Sequence, residues 1–236
     1  MHPCYWLALD CREQTLEPEQ AAEIHDEYDI EVSSQTPEIR NHRLGQTMSQ
    51  LVHIPVGEAG SRAFEEWCNQ AIKIVFAGGL RNVVLKPNGN SVQRRDVVGT
   101  NHGQTPAWKR ILDDYGSRQV LFEVKNYTDL IGGDEYRQVL SYLCNTYGRL
   151  GFIITRSDTI DLEKGKELDW MREIYLNHEH RLVIKLPAKV LIGLLSKLRN
   201  PQKHDATDEA LDGLLDLYER RYLSLPSGKH RKKALT

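Results

Sequence analysis

Three side chains, Asp96, Glu123 and Lys125, have the types and the spacing for phosphodiester hydrolysis. Metal-dependent hydrolysis needs carboxylates that hold a hard divalent cation, and it gains from an ammonium beside the attacked phosphate or the attacking water. Glu123-Val124-Lys125 lies in Gln119–Asn126, where alternation predicts a strand with Val120, Phe122 and Val124 on one face and Leu121, Glu123 and Lys125 on the other. One carboxylate and one ammonium are thus delivered side by side. Asp96 stands 27 positions before Glu123 in a second predicted strand, and it completes the site if the two strands are neighbours. A bare D…ExK also arises by chance in a charged chain, where it reads as readily as a solvated strand-edge pair. The surrounding elements distinguish the two readings.

Ser61 reads as a helix N-cap after the Gly57–Gly60 break. Beyond it, Phe64, Trp67, Cys68, Ala71, Ile72, Val75 and Phe76 recur at i, i+3, i+4, i+7, i+8, i+11 and i+12, one apolar face of an α-helix that ends at Gly78-Gly79. On this helix Glu65 falls about 75° from the centre of the apolar face, whereas Glu66 points nearly opposite to it. Glu65 is therefore the glutamate able to reach the sheet. Asn82–Lys86 and Ser91–Thr100 read as a β-hairpin across Pro87-Asn88-Gly89-Asn90. After Gln119–Asn126, a second amphipathic helix places Tyr136, Val139, Leu140, Leu143 and Tyr147 on one stripe, with Gln138 and Tyr142 together on another side. Leu150–Thr155 reads as a buried strand. It is followed by a helix over Leu162–Leu176, a strand over Arg181–Leu186, a helix over Pro187–Leu198 and a last helix over Asp208–Tyr222.

Asp96 with Glu123-x-Lys125, behind a helix carrying Phe64-Glu65 and within an αβββαβ order, resembles the PD-(D/E)xK nuclease superfamily. Gln138-Val139-Leu140-Ser141-Tyr142 is similar to the QxxxY element of its RecB-like members, so the resemblance covers roughly residues 61–156. Arg95 stands where the family name has proline, a position many members also vary. The resemblance implies an α/β fold: a restriction-endonuclease-like core with a mixed central sheet flanked by helices, plus N- and C-terminal additions. It implies metal ligation by Asp96 and Glu123, with Glu65 as the candidate third ligand, and a catalytic role for Lys125. It also implies nucleic-acid contact by Gln138 and Tyr142. Arg156, at the end of the fourth strand, is singled out from the basic residues around the site as a phosphate contact.

The expected divisions are an acidic appendage over 1–57, the nuclease domain over 58–200, and a C-terminal helix with a basic tail over 201–236. The net charge of −2 hides this polarity, because residues 1–60 carry eleven acids against three arginines, while residues 221–236 carry five basic residues and no acid. The Lys229–Lys233 tail suits either a solubilising segment or a nonspecific nucleic-acid arm. Cys4, Cys11, Cys68 and Cys144 form no CxxC, and His178 and His180 at i, i+2 lack helical ligand spacing, so a zinc finger is not supported. Neither a P-loop nor a dinucleotide GxGxxG is present, and no apolar run approaches the ~20 residues of a membrane span. A cytoplasmic location is expected by default.

The resulting expectation is a Mg²⁺-dependent DNA endonuclease, with Mn²⁺ as a substitute, serving restriction, anti-phage defence or repair. The alternative is a catalytically silent nucleic-acid-binding or assembly module of the same fold. Expected partners are DNA, a second copy of the chain in a homodimer for cutting both strands, and a separate sensor or ATPase chain that supplies control.

Overall fold

The computed structural model describes residues 37–87, 95–144, 147–200, 203 and 205–224. Tyr5–Leu9, whose residues read as a strand opening the acidic appendage, most of the hairpin turn and the basic tail lie outside these residues. Helix α1 spans Pro37–His53, and a single 3-10 turn, Glu58–Gly60, leads into α2, Ser61–Val75. Then follow β1 (Leu80–Leu85), β2 (Val97–Asn101), α3 (Pro106–Tyr115), β3 (Gln119–Lys125), α4 (Gly133–Tyr142) and β4 (Leu150–Thr155). The chain continues with α5 (Glu167–Asn177), β5 (Leu182–Pro187), α6 (Ala188–Leu198) and α7 (Ala206–Asp216), which passes into a π-helical turn over Leu217–Tyr222.

The five strands form one open mixed sheet in the order β1-β2-β3-β4-β5. The β1/β2 and β2/β3 pairs are antiparallel and the β3/β4 and β4/β5 pairs parallel. Parallel neighbours need a crossover, and α4 and α5 supply the two. Helices on both faces explain a departure from simple alternation: five consecutive residues of β3, Val120 to Val124, are buried. The Glu123 face is thus roofed at Leu121 and Glu123, while Lys125 at the strand end stays partly exposed.

All seven apolar residues of the predicted stripe on α2 are buried. They meet the Val120/Phe122 face of the sheet, where Phe76, Phe122 and Phe152 stack with centroids 6.1 and 4.9 Å apart. The predicted N-cap shifts by one residue. Ser61 is already helical, because the 3-10 turn runs directly into α2 and Gly60 takes the cap. Gly79 closes the helix against Trp108, whose ring atom Cδ1 would lie 1.8 Å from any Cβ at that position.

Helix α1 is part of the core. Leu44 of α1 is 1% exposed, and Trp67 Nε1 donates to the Thr47 carbonyl at 2.8 Å. At the other end of the chain, Leu211, Leu215, Tyr218 and Tyr222 are buried as well. Tyr218 Oη accepts the backbone N–H of Lys185 in β5 at 2.9 Å. The Lys185 ammonium and the Glu167 carboxylate, both fully buried, pair at 2.9 Å, and Glu167 also accepts the backbone N–H groups of Ile131 and Glu163. No helix among the described residues is long and apolar enough to cross a membrane.

Candidate functional site

The pairing of β2 with β3 decides where Asp96 falls. Val97 lies opposite Phe122, so the next step of the same register sets Asp96, just before β2, against Glu123. Asp96 is fixed at two points. Its Oδ2 accepts the backbone N–H of Val124 at 2.8 Å, and its carbonyl accepts the N–H of Lys86 at 2.7 Å.

Glu123 is 2% exposed, and its two oxygens differ. Oε1 accepts from Lys125 Nζ at 2.9 Å and from Gln138 Nε2 at 2.7 Å, while Lys125 Nζ also donates to Gln138 Oε1 at 3.0 Å. The three side chains close a ring of hydrogen bonds, which the two-residue step of β3 and the docking of α4 above it make geometrically available. Gln138 Nε2 also reaches Tyr142 Oη at 3.2 Å, so the i, i+4 pair of α4 acts on the site together. Glu123 Oε2 is buried and has no hydrogen-bond partner. Burial, followed by the negative charge of Asp96, pushes the Glu123 carboxyl up to about 7. Burial likewise raises Asp96, against the opposing pull of the Val124 amide. A buried carboxylate with one empty oxygen, repelled by a partly buried neighbour, has the chemistry of a site that would accept a cation.

The inward direction assigned to Glu65 agrees with its environment: its side chain is 13% exposed, against 55% for Glu66. Its carboxylate is ion-paired with the Lys86 ammonium, and its charge is felt at both Asp96 and Glu123. Among the described residues, no group of three or more His, Cys, Asp or Glu side chains stands close enough to hold a metal ion. The donor set therefore consists of Asp96 and Glu123 as ready oxygens, with Glu65 engaged elsewhere. Two carboxylates and several waters are a normal shell for Mg²⁺, which dehydrates reluctantly. The orphaned Glu123 oxygen fits such an ion.

Tyr142, which its spacing sets on a side of α4 away from the apolar stripe, is buried at 8% exposure. The helix ends there, and the Arg95 guanidinium covers the ring at 5.4 Å while lying 4.4 Å from the ring of Tyr147. Arg156 is half-buried and engaged by the protein itself. Its guanidinium donates to the carbonyls of Leu51 and Ile54 at 3.1 and 3.4 Å and lies over Phe64, so it clasps the end of α1 to the end of β4. His178 and His180 flank a sharp turn after α5, where Glu179 and His180 have φ of 53° and 57°. Sequence reasoning passed over Lys86. The available signal was its position at the end of the first hairpin strand, which an antiparallel register sets beside the residues that begin the second.

No protein-family model matches the chain, and no solved structure matches it. The chain is 50% identical over 233 residues to an Escherichia coli (strain K12) protein named "Putative transposon gamma-delta 80.3 kDa protein". The match takes in 99% of this chain and 33% of that protein, so the chain spans about a third of its relative's length.

Proposed function

We propose that the chain carries a restriction-endonuclease-like core and is a metal-dependent nuclease that hydrolyses DNA phosphodiester bonds at Asp96, Glu123 and Lys125. The observation that carries this reading is the ring of Glu123, Lys125 and Gln138, which satisfies one carboxylate oxygen and leaves the other buried and empty beside Asp96. A divalent cation bound there would supply activation of a water and neutralise charge growing on the phosphate. Asp96, pinned by the Val124 amide, offers oxygen from the neighbouring strand. Lys125, whose side chain is 21% exposed, would orient the attacking water and offset charge on the phosphate as an ammonium. Gln138 holds that ammonium in direction, and Tyr142 holds Gln138. The relative's name places it with a transposon, a DNA setting, which supports DNA as the substrate.

The test is incubation of purified chain with plasmid DNA, with and without Mg²⁺ or Mn²⁺, in wild type, Asp96→Ala and Lys125→Ala. Divalent-dependent cleavage lost in both variants supports the proposal. DNA binding without cleavage under every metal overturns it in favour of a silent binding or assembly module.

A further inference from the structure

Lys86 is left over by the chemistry above, yet it touches the site twice. Its backbone N–H donates to the Asp96 carbonyl, and its ammonium pairs with Glu65. The residue sits just past β1 with φ of 49°, in the left-handed region that glycine and asparagine fill at low cost and lysine does not. A backbone outlier at this position holds the stem of Lys86 toward α2. The charges around it are unequal. Three carboxylates, Glu65, Asp96 and Glu123, feel one another, and two ammoniums answer them, Lys125 on Glu123 and Lys86 on the Glu65 and Asp96 side.

The two ammoniums are not held alike. Lys125 is fixed by two acceptors, Glu123 and Gln138. Lys86 is 37% exposed along its side chain, so it has a path back to water if its carboxylate is taken.

We propose that Lys86 is a tethered cation that holds Glu65 in the metal-free chain and is displaced when a divalent cation binds, so that Lys86 sets the metal affinity and gates the entry of Glu65 as third oxygen ligand. This rests on the reading of Asp96 and Glu123 as metal ligands. A divalent ion recruiting Glu65 must break the ion pair, and the like charge of Lys86 opposes its approach to Asp96. Removing the ammonium removes both costs.

The experiment is calorimetric titration of the full chain with Mn²⁺ alone, without nucleic acid, in wild type, Lys86→Met, Lys86→Arg, Asp96→Asn and the double variant Lys86→Met/Glu65→Gln. The expected result is about ten-fold tighter binding in Lys86→Met. Lys86→Arg, which keeps the charge, retains the wild-type affinity, and the double variant loses the part of the gain that runs through Glu65 and keeps only the smaller part due to the removed repulsion at Asp96. Binding that Asp96→Asn abolishes but that Lys86→Met leaves unchanged or weakens overturns the gate while the metal site stands. Absence of Mn²⁺ binding in wild type and in Lys86→Met alike overturns both. Circular dichroism of each variant confirms that it is folded before titration.

Discussion

Replacing Glu123 by glutamine should make the metal-free protein more stable at alkaline pH, although it removes a proposed metal ligand. The Glu123 carboxyl ordinarily titrates at 4.5 and is raised to about 7 in the fold, chiefly by burial and then by Asp96. Between these values the folded chain keeps a proton that the unfolded chain has released, so stability is fully present below 4.5 and is lost as the pH rises through 7. A displacement of about 2.5 pH units corresponds to about 3 kcal/mol of cost for the ionised form above that window. Glutamine has nearly the same shape and no charge, and its carbonyl can still accept from Gln138. Lys125 keeps Gln138 Oε1 as an acceptor and remains partly solvated. For a domain of this size each kcal/mol moves the midpoint by about 2–4 °C, so the variant should melt about 6–12 °C above wild type at pH 8. Thermal melts in EDTA from pH 5 to pH 8 measure the difference, which should shrink toward zero at the acidic end. Mn²⁺ should then raise the wild-type midpoint and leave the variant unmoved. A glutamine variant less stable than wild type at pH 8, or a gap that does not change with pH, would refute the reasoning.

Two other substitutions probe charged groups that the fold holds by internal contacts. Lys185→Met leaves the Glu167 carboxylate buried without its ammonium and should cost about 3–5 kcal/mol in urea unfolding, most of it recovered when Glu167→Gln is added; equal stability of the single and double variants would remove the pair from the account. Arg156→Met breaks the clasp on the carbonyls of Leu51 and Ile54 and should cost about 2 kcal/mol, with unchanged DNA affinity measured well below the melting range. A large loss of DNA binding in a fully stable Arg156→Met protein would return this residue to the role of phosphate contact.

The parts of this structure legible in the sequence are those written in local periodicity. The 3.6-residue recurrence from Phe64 to Phe76 gave α2 and the inward turn of Glu65, and the two-residue alternation of β3 put Glu123 beside Lys125. The same alternation did not disclose that α4 covers their face, because burial on both sides follows from the crossover topology. Partners far apart in sequence were harder still. Lys185 falls in an otherwise apolar strand, which hints at a buried charge, but only the fold brings Glu167 to it. Arg156, at the end of the buried fourth strand among the basic residues around the site, reads in sequence as a phosphate contact. The partners it has in the fold, two carbonyls at the end of α1, come from a segment whose composition reads as an acidic appendage.

The two margins of the sheet are closed by different means. On one side β1 shifts register between Arg81 and Val84, and Asn82 turns left-handed at φ 51°, so its outer backbone groups do not line up as a straight row. On the other, all six residues of β5 are buried and the Tyr218 hydroxyl takes the amide of Lys185. Among the described residues, both margins thus lack a straight open row of backbone groups for a second copy to extend. If the proposed nuclease pairs to cut both strands, this part of the chain would meet its copy through helical or loop surfaces, and those surfaces would set how the two Asp96/Glu123 sites face each other.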